Sequence, residues 1–288
     1  MIYLLLAILG SGVIPVIFRA FDGWRVNLFW AILVNYITCV LIGNLLAADG
    51  LNLSSLVSQP WIGLAALQGT LLAVNFYLLA HTAQRAGVAI AALASRLSVA
   101  IPSILAFALY GDSLTTIKIA GLLAALLALY LCTAPDRNSA GLSSRLFHLL
   151  PVLVFASFGV YFTILKYLQT YYLNASSYHS YVMSGFVFAL LSSLAIGLSK
   201  RVIVAAEFRV LHVIAGLGLG LINYVAVYSL LQVLALKGWQ SSQLYPIYSV
   251  GVVAVSTLLA FVAFREKLSR RKALGLAVGI VAVALLNR

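Results

Sequence analysis

Long runs of apolar residues dominate this chain, and they limit what it can fold into. We identify ten such runs, each close in length to the roughly 20 residues that an α-helix needs to cross a bilayer. Backbone polar groups in lipid must be paired within the protein, so isolated spans of this kind form helices. The sequence therefore predicts an all-α integral membrane protein with ten transmembrane helices, at 2–19, 27–48, 60–84, 86–110, 114–133, 146–168, 175–199, 209–235, 238–263 and 268–287.

Charged residues are scarce, and their distribution carries topological information. They make up 8% of the 288 residues, against roughly 25% in soluble domains. With loops numbered in chain order, the odd loops and their flanks hold thirteen of the Lys and Arg residues, whereas the even loops and the C-terminus hold Lys118, Lys166, Lys237 and Arg288. The positive-inside rule then places the odd loops in the cytoplasm and both termini outside. The net charge of +12 is thus explained by topology and anionic head groups, and no nucleic-acid partner is expected.

The two halves of the chain resemble each other. Residues 69–87 align with 220–238 at an offset of 151, and residues 12–19 (GVIPVIFR) align with 159–166 (GVYFTILK). Identical pairs in the longer match include Gly69/Gly220, Tyr77/Tyr228 and Gly87/Gly238. We predict a first repeat at 1–134, a linker at 135–145 and a second repeat at 146–288. Five helices is an odd number, so the second repeat enters the membrane inverted, an arrangement typical of secondary transporters.

A motif at the start of each last helix strengthens this interpretation. FREKLSRRKALG (264–275) has a weaker copy in GDSLTTIKIAG (111–121), and each offers a Leu followed by Thr115 or Ser269 as a helix N-cap. With these features the chain resembles the EamA family of the drug/metabolite transporter superfamily over essentially its whole length. The resemblance implies a ten-helix bundle, a central cavity, alternating access, and export of amino acids or other small metabolites in bacteria. It also implies cytoplasmic termini, the opposite of what the charge bias predicts.

Arg96 is the strongest candidate for substrate binding. It lies ten residues into the fourth predicted span, roughly 15 Å along the helix axis and so close to the bilayer midplane. A buried arginine in a membrane faces a cavity or a partner, and its planar fork suits a carboxylate or phosphate. Two alternatives stay open: a structural lock that donates to carbonyls freed by Pro102, or a side chain that snorkels to the interface. Its repeat partner is Ile247, so the two halves differ here.

The six carboxylates all lie in loops or near predicted helix ends, which disfavours an organic cation as the substrate. Further candidate substrate-binding residues are the mid-span polar and aromatic side chains Asn75, Tyr77, His81, Asn223, Tyr245 and Tyr248. Packing, or hydrogen bonding between helices, is the alternative role for each of them. Asn75 and Tyr77 are two residues apart and therefore point in different directions on a helix, whereas Tyr224 and Tyr228 share one face.

Prolines and histidines suggest how the protein could move or couple transport. Pro15, Pro102 and Pro246 are predicted to break helices and to act in gating, and His81 and His179 are candidates for carrying a coupling proton. No hydrolase, metal-ligand or phosphate-loop motif is present in the sequence, so we expect no enzyme activity, catalytic residue, metal or cofactor.

These features predict a secondary transporter of the bacterial inner membrane, an exporter of small zwitterionic or anionic, amino-acid-like metabolites. The expected partners are a small-molecule substrate and the lipid bilayer, and the protein is expected to be a monomer or homodimer. A broad drug/metabolite exporter with an apolar pocket is the first alternative. A membrane scaffold or sensor that does not transport is the second, and it gains nothing from a symmetric repeat.

Overall fold

The chain folds into α-helices throughout the part that the structure describes. The structure is a computed structural model, and it describes residues 2–46, 57–98, 100–102, 105, 115–133, 143–173, 177–199, 209–234, 241–265 and 269–286. No strand occurs in these ranges. The helices are α1 (Ile2–Gly23), α2 (Leu28–Leu46), α3 (Ile62–Arg85), α4 (Val88–Leu97), α5 (Thr116–Thr133), α6 (Ser143–Tyr171), α7 (Tyr178–Ser199), α8 (Val210–Leu234), α9 (Ser241–Phe264) and α10 (Arg270–Leu286).

Seven segments are long and apolar enough to cross a membrane. They are Ile2–Gly23, Leu28–Leu46, Ile62–Arg85, Leu149–Leu168, Ser180–Leu198, Val210–Leu230 and Ile247–Phe264. The other three predicted spans contain shorter apolar helices, at Val88–Pro102, Thr116–Leu131 and Ala273–Leu285. The protein is therefore a multi-pass all-α membrane protein, while the count of ten crossings stays a prediction.

Helix boundaries follow local backbone chemistry where the sequence indicated them. Gly87 separates α3 from α4 with a φ of 108°, a conformation that residues with a β-carbon rarely adopt. At the start of α5, the Thr115 hydroxyl accepts a hydrogen bond from the Lys118 backbone N–H at 3.3 Å, which confirms Thr115 as its N-cap.

Several sequence-based predictions involve positions outside the described residues. They include most of the linker at 135–145, the helix-start acids Asp112 and Glu266, and Lys237, Gly238 and Arg288. The side chains of Tyr245, Pro246 and His179 also lie outside the described part of the structure, although their backbones belong to α9 and α7.

Contacts between the two halves of the chain build the bundle. The largest interfaces join α5 to α10, α2 to α8, α1 to α8, α3 to α7, α1 to α9 and α3 to α6, and α4 also packs on both α6 and α9. Several of these crossings are close because a glycine lies at the contact. A β-carbon on Gly69 in α3 would lie 2.6 Å from the Gly185 carbonyl oxygen of α7. One on Gly220 in α8 would lie 2.8 Å from the Asn35 carbonyl oxygen of α2.

An aromatic chain runs through the centre of the bundle and crosses from one half to the other. Phe18 packs edge-on against Phe76 with ring centroids 5.5 Å apart, and Phe76 packs against Tyr36 at 5.6 Å. Phe186 continues the chain at 6.5 Å from both Tyr36 and Tyr224. All five side chains are buried, so this core positions the polar groups described next.

Candidate functional site

Arg96 lies where three helices meet, in the last turn of α4. Its guanidinium carbon lies 4.8 Å from the centre of the Tyr248 ring on α9, within the distance of a cation–π contact. The Tyr248 hydroxyl shares a 2.7 Å hydrogen bond with the Ser11 hydroxyl on α1. Arg96, Tyr248 and Ser11 therefore form a continuous polar and aromatic contact, which we call the Arg96 cluster, between α1 and α4 of the first half and α9 of the second.

The Arg96 guanidinium is incompletely paired. The side chain is partly buried, and its Nε is buried without a hydrogen-bond partner. Asp22 is the only carboxylate among the described residues. It is 64% exposed at the end of α1, where it pairs with Arg19. None of the described residues places a carboxylate beside Arg96, and a partly buried arginine without one is costly, so a group that supplies negative charge would be stabilised there.

The backbone just after Arg96 forms a local turn within the span predicted over 86–110, four residues before the predicted helix-breaking Pro102. α4 ends at Leu97, a turn follows at Ser98, and residues 100–102 are helical again; the Ile101 N–H donates to the Ser98 carbonyl at 3.0 Å, a three-residue turn. Pro102 has no N–H to offer that carbonyl, which explains the tighter turn. Helix interruptions of this kind are common at the binding sites of transporters.

The other two prolines do not interrupt their helices, contrary to the sequence-based expectation. α1 is continuous from Ile2 to Gly23 with the buried Pro15 inside it, and α9 is continuous from Ser241 to Phe264 across position 246. A proline removes one hydrogen bond, and packing against neighbouring membrane helices compensates for that loss.

Asn75 lies at the α3–α6 crossing, away from the Arg96 cluster. It is fully buried, and its Oδ1 accepts a hydrogen bond from the Ser157 hydroxyl of α6. Its Nδ2 and the hydroxyl of Tyr77 are both buried without a hydrogen-bond partner. The bond to Ser157 is an interhelical contact, as expected of an asparagine that holds helices together.

Asn223 belongs to a different polar cluster, between α2 and α8. Its Nδ2 donates to Asn35 Oδ1 at 3.2 Å and to Cys39 Sγ at 3.6 Å. The Cys39 thiol donates to the Gly220 carbonyl at 3.4 Å. All of these groups are buried, so the structure distributes the predicted site residues over three separate helix crossings.

The remaining candidate residues do not share one site. Tyr224 and Tyr228 share one face, as predicted, and their rings stack at 6.1 Å with an interplanar angle of 11°. His81 is partly buried on α3, one turn before Arg85. The side chains of Tyr245 and His179 lie outside the described residues.

Sequence reasoning missed Ser11, Ser157 and Asn35, because short polar side chains in apolar helices give no periodic signal. A signal for Ser157 was nevertheless present. The offset of 147 aligns Ser157 with Gly10, and the offset of 151 aligns Asn75 with Ala226. Gly10 and Ala226 meet in the structure, since a β-carbon on Gly10 would lie 2.8 Å from the Ala226 β-carbon.

The helices and these buried polar clusters define the class as a multi-pass membrane protein with an all-α bundle. No family model matches the chain, and no curated protein matches it. A solved structure described as "Crystal structure of protein" is similar to it, with a TM-score of 0.62 and 18% sequence identity. The similarity covers 99% of this chain and 96% of that one, so the two proteins share a fold from end to end.

Proposed function

We propose that this protein is a secondary transporter of the cytoplasmic membrane that exports small zwitterionic or anionic, amino-acid-like metabolites. It would do so by alternating access of two inverted five-helix repeats, and membership of the EamA family is part of the proposal. The observation that carries it is the Arg96 cluster, because it supplies an incompletely paired cation at a contact between the two halves.

Helix packing supports the two repeats. Exchanging each helix with the one five places away maps the main interfaces onto one another. The contacts of α1 with α8 and α9 become those of α6 with α3 and α4, and the contact of α2 with α8 becomes that of α7 with α3. The α5–α10 interface maps onto itself. This exchange is what a duplicated, interlocked bundle requires.

Glycine contacts support the same conclusion at the level of residues. A β-carbon on Gly12 would lie 2.7 Å from Val255 Cγ1 and 3.4 Å from the Val252 carbonyl oxygen, and one on Gly159 would overlap Ile101 Cδ1. Gly12 aligns with Gly159, and Ile101 aligns with Val252, at the offsets found in the sequence. Aligned residues therefore meet aligned residues, which is the pattern that a structural repeat produces.

Arg96 supports the substrate class. Guanidinium groups bind carboxylates through two parallel N–H···O bonds, and the Arg96 Nε has no hydrogen-bond partner among the described residues that would compete with such a ligand. Since the cluster joins α4 to α9 and α1, a rocking motion of one half against the other would change access to it. The proposal thus places the acidic group of the substrate on Arg96 and its remainder among the neighbouring helices.

Topology and coupling complete the proposal. An even number of crossings puts both termini on one side, which the basic odd loops indicate is the outside and the family resemblance indicates is the cytoplasm. His81 is the candidate for proton coupling whose side chain the structure describes. No cofactor, metal or enzymatic step is part of the proposed mechanism, and a monomer or a homodimer would serve it equally.

A broad exporter with an apolar pocket is the second candidate function. Two features of Arg96 favour it. The guanidinium packs on the Tyr248 ring of α9, and Arg96 lies in the last turn of α4, where a cation stabilises the helix end. In this case Arg96 holds the bundle together and does not contact the substrate.

Uptake into liposomes separates the two candidates. We would measure wild type, Arg96→Lys and Arg96→Leu with an amino acid and with its carboxamide, which lacks the negative charge. A charge-assisted hydrogen bond contributes about 1.5–3 kcal/mol, so Arg96→Leu should lose about 10-fold to 150-fold of the preference for the acid, and Arg96→Lys less. Lys118→Leu, which removes a partly exposed lysine at the start of α5, is the matched control. Equal uptake of acid and amide by folded wild-type protein would contradict the anchor and favour the broad exporter.

A further inference from the structure

A cavity lies at one end of the bundle, and none of the residues that line it belongs to the Arg96 cluster. It has a volume of about 540 Å³ and lies between the last turns of α1 and α9. Its walls are mostly apolar, with contributions from Val16, Ile17, Ala263 and Phe264. The charged side chains that line it are Arg19 and Asp22. Pockets of roughly 300–1,000 Å³ hold small ligands in proteins, so this cavity is large enough to bind part of an amphiphile.

The cavity lies at the depth of the membrane interface. It is lined by the last residues of two apolar helices that are long enough to cross the bilayer, α1 ending at Gly23 and α9 at Phe264. Trp24, which also lines it, is 60% exposed. Tryptophan is enriched at the level of the lipid head groups, so a ligand here would reach both hydrocarbon and head groups.

One arginine lines the cavity, and two more are next in sequence to residues that line it. Arg25 follows Trp24, Arg265 follows Phe264, and both side chains are exposed. Arg19 lines the cavity and uses one nitrogen, Nη1, both for its hydrogen bond to the Gln84 carbonyl and for its 3.7 Å contact with Asp22. Its other two nitrogens can therefore donate to a ligand. Among the described residues in and next to this lining, three arginines outnumber one aspartate, which favours an anion.

Helix ends normally present carbonyl oxygens, which would repel an anion, but here backbone N–H groups bind them. Trp24 N–H donates to the Ala20 carbonyl at 3.0 Å, Arg25 N–H to the Asp22 carbonyl at 3.2 Å, and Arg265 N–H to the Phe261 carbonyl at 3.1 Å. The two arginines that close these ends have left-handed backbones, with φ of 54° at Arg25 and 51° at Arg265. Both helix ends thus carry an arginine, and backbone N–H groups bind the Ala20 and Asp22 carbonyls of α1 and the Phe261 carbonyl of α9.

We propose that this cavity is a binding site for an anionic phospholipid of the leaflet that faces the odd-numbered loops. The apolar walls hold the upper part of an acyl chain, and Arg19, Arg25 and Arg265 bind the phosphate. A free phosphate has no apolar part to pack against these walls, so the geometry favours a lipid. The site is independent of the metabolite that Arg96 is proposed to bind, and its failure or success leaves that proposal untouched.

Thermal unfolding of the purified full chain in detergent tests the site. Added phosphatidylglycerol should raise the unfolding temperature, whereas phosphatidylcholine with the same acyl chains should have little effect, because a ligand stabilises the state that binds it. Each basic residue contributes about fivefold to the affinity for an anionic lipid. The double variant Arg25→Asn/Arg265→Asn should therefore need about 25-fold more phosphatidylglycerol for the same shift. Asparagine keeps the left-handed backbone accessible at both positions.

Two further variants distinguish a site from diffuse attraction. Ala263→Phe fills the cavity without a change in charge and should abolish the shift. The matched double variant Lys118→Gln/Lys166→Gln, which removes one partly exposed and one exposed charge elsewhere, should retain it. The proposal is overturned if Ala263→Phe responds like wild type, if phosphatidylcholine stabilises as well as phosphatidylglycerol, or if inorganic phosphate reproduces the full shift.

Discussion

Gly69 offers the sharpest test of the helix packing, because alanine there would meet backbone atoms that cannot rotate away. A β-carbon at Gly69 would lie 2.6 Å from the Gly185 carbonyl oxygen, 2.6 Å from the Phe188 β-carbon and 3.1 Å from the Ala189 nitrogen. Contacts below 3 Å require α3 and α7 to move apart. Extra methylene groups in a packed interior cost about 1–3 kcal/mol, so we expect Gly69→Ala to be destabilising.

Gly63→Ala is the matched control on the same helix. A β-carbon at Gly63 meets no described atom within 4 Å, and alanine in a helix is about 1 kcal/mol better than glycine. Gly63 lies in the first turn of α3, where this gain is smaller than at Gly69, so the difference between the two variants is a lower bound on the packing cost. About 1 kcal/mol shifts the melting temperature by about 2–4 °C in larger domains, so Gly69→Ala should unfold about 2–12 °C below Gly63→Ala.

The second half provides an internal replicate. Gly220 aligns with Gly69 and approaches the Asn35 carbonyl oxygen to 2.8 Å, whereas Gly218 meets no described atom within 4 Å. Gly220→Ala should fall below Gly218→Ala by a similar margin in the same detergent melts. Equal melting of Gly69→Ala and Gly63→Ala would refute the close crossing. Sensitivity at Gly69 without sensitivity at Gly220 would refute the equivalence of the two crossings.

Three further predictions follow from particular contacts. Asn75→Ala and Ser157→Ala should show a coupling of about 0.6 kcal/mol in a double-mutant cycle of unfolding, and additive effects would contradict the Asn75–Ser157 bond. Asn75→Ala/Ser157→Gly, which copies the aligned pair Ala226 and Gly10 of the other crossing, should recover part of the lost stability. Tyr248→Phe keeps the ring under Arg96 but removes the bond to Ser11, so it should lower substrate uptake less than Tyr248→Ala; equal losses would refute the role of the ring. Reporters fused to the two termini should give signals on the same side of the membrane, whereas opposite sides would rule out ten crossings.

The sequence predicted the helices well because each prediction rested on local chemistry. The apolar runs, the break at Gly87 and the cap at Thr115 all depend on the residues within one or two turns. The fourth span shows the limit of prediction from local sequence. Its composition predicts one span and its Pro102 predicts a break, but the extent of that break, a turn at Ser98 with helix again at 100–102, depends on packing that hydropathy does not report.

The candidate site was predicted only in part, because side-chain partners depend on which helices cross. The sequence indicated Arg96 and Tyr248 as separate candidates. It did not predict that the Tyr248 ring packs on the Arg96 guanidinium. Asn75 was grouped with Asn223 because aligned helices carry them, yet their partners, Ser157 and Asn35, are in different neighbouring helices. Absolute topology is likewise not encoded in helix packing, since the bias of basic residues acts through the membrane.

Flux into liposomes tests the central claim most directly. Purified wild-type protein and empty liposomes would be incubated with a pool of labelled metabolites that includes zwitterions, anions and organic cations, and the internal content measured over time. The account predicts accumulation of acid-bearing metabolites above the empty control, with a loss of that signal in Arg96→Leu protein of normal melting temperature. No flux for any metabolite, or flux for organic cations alone, would contradict it.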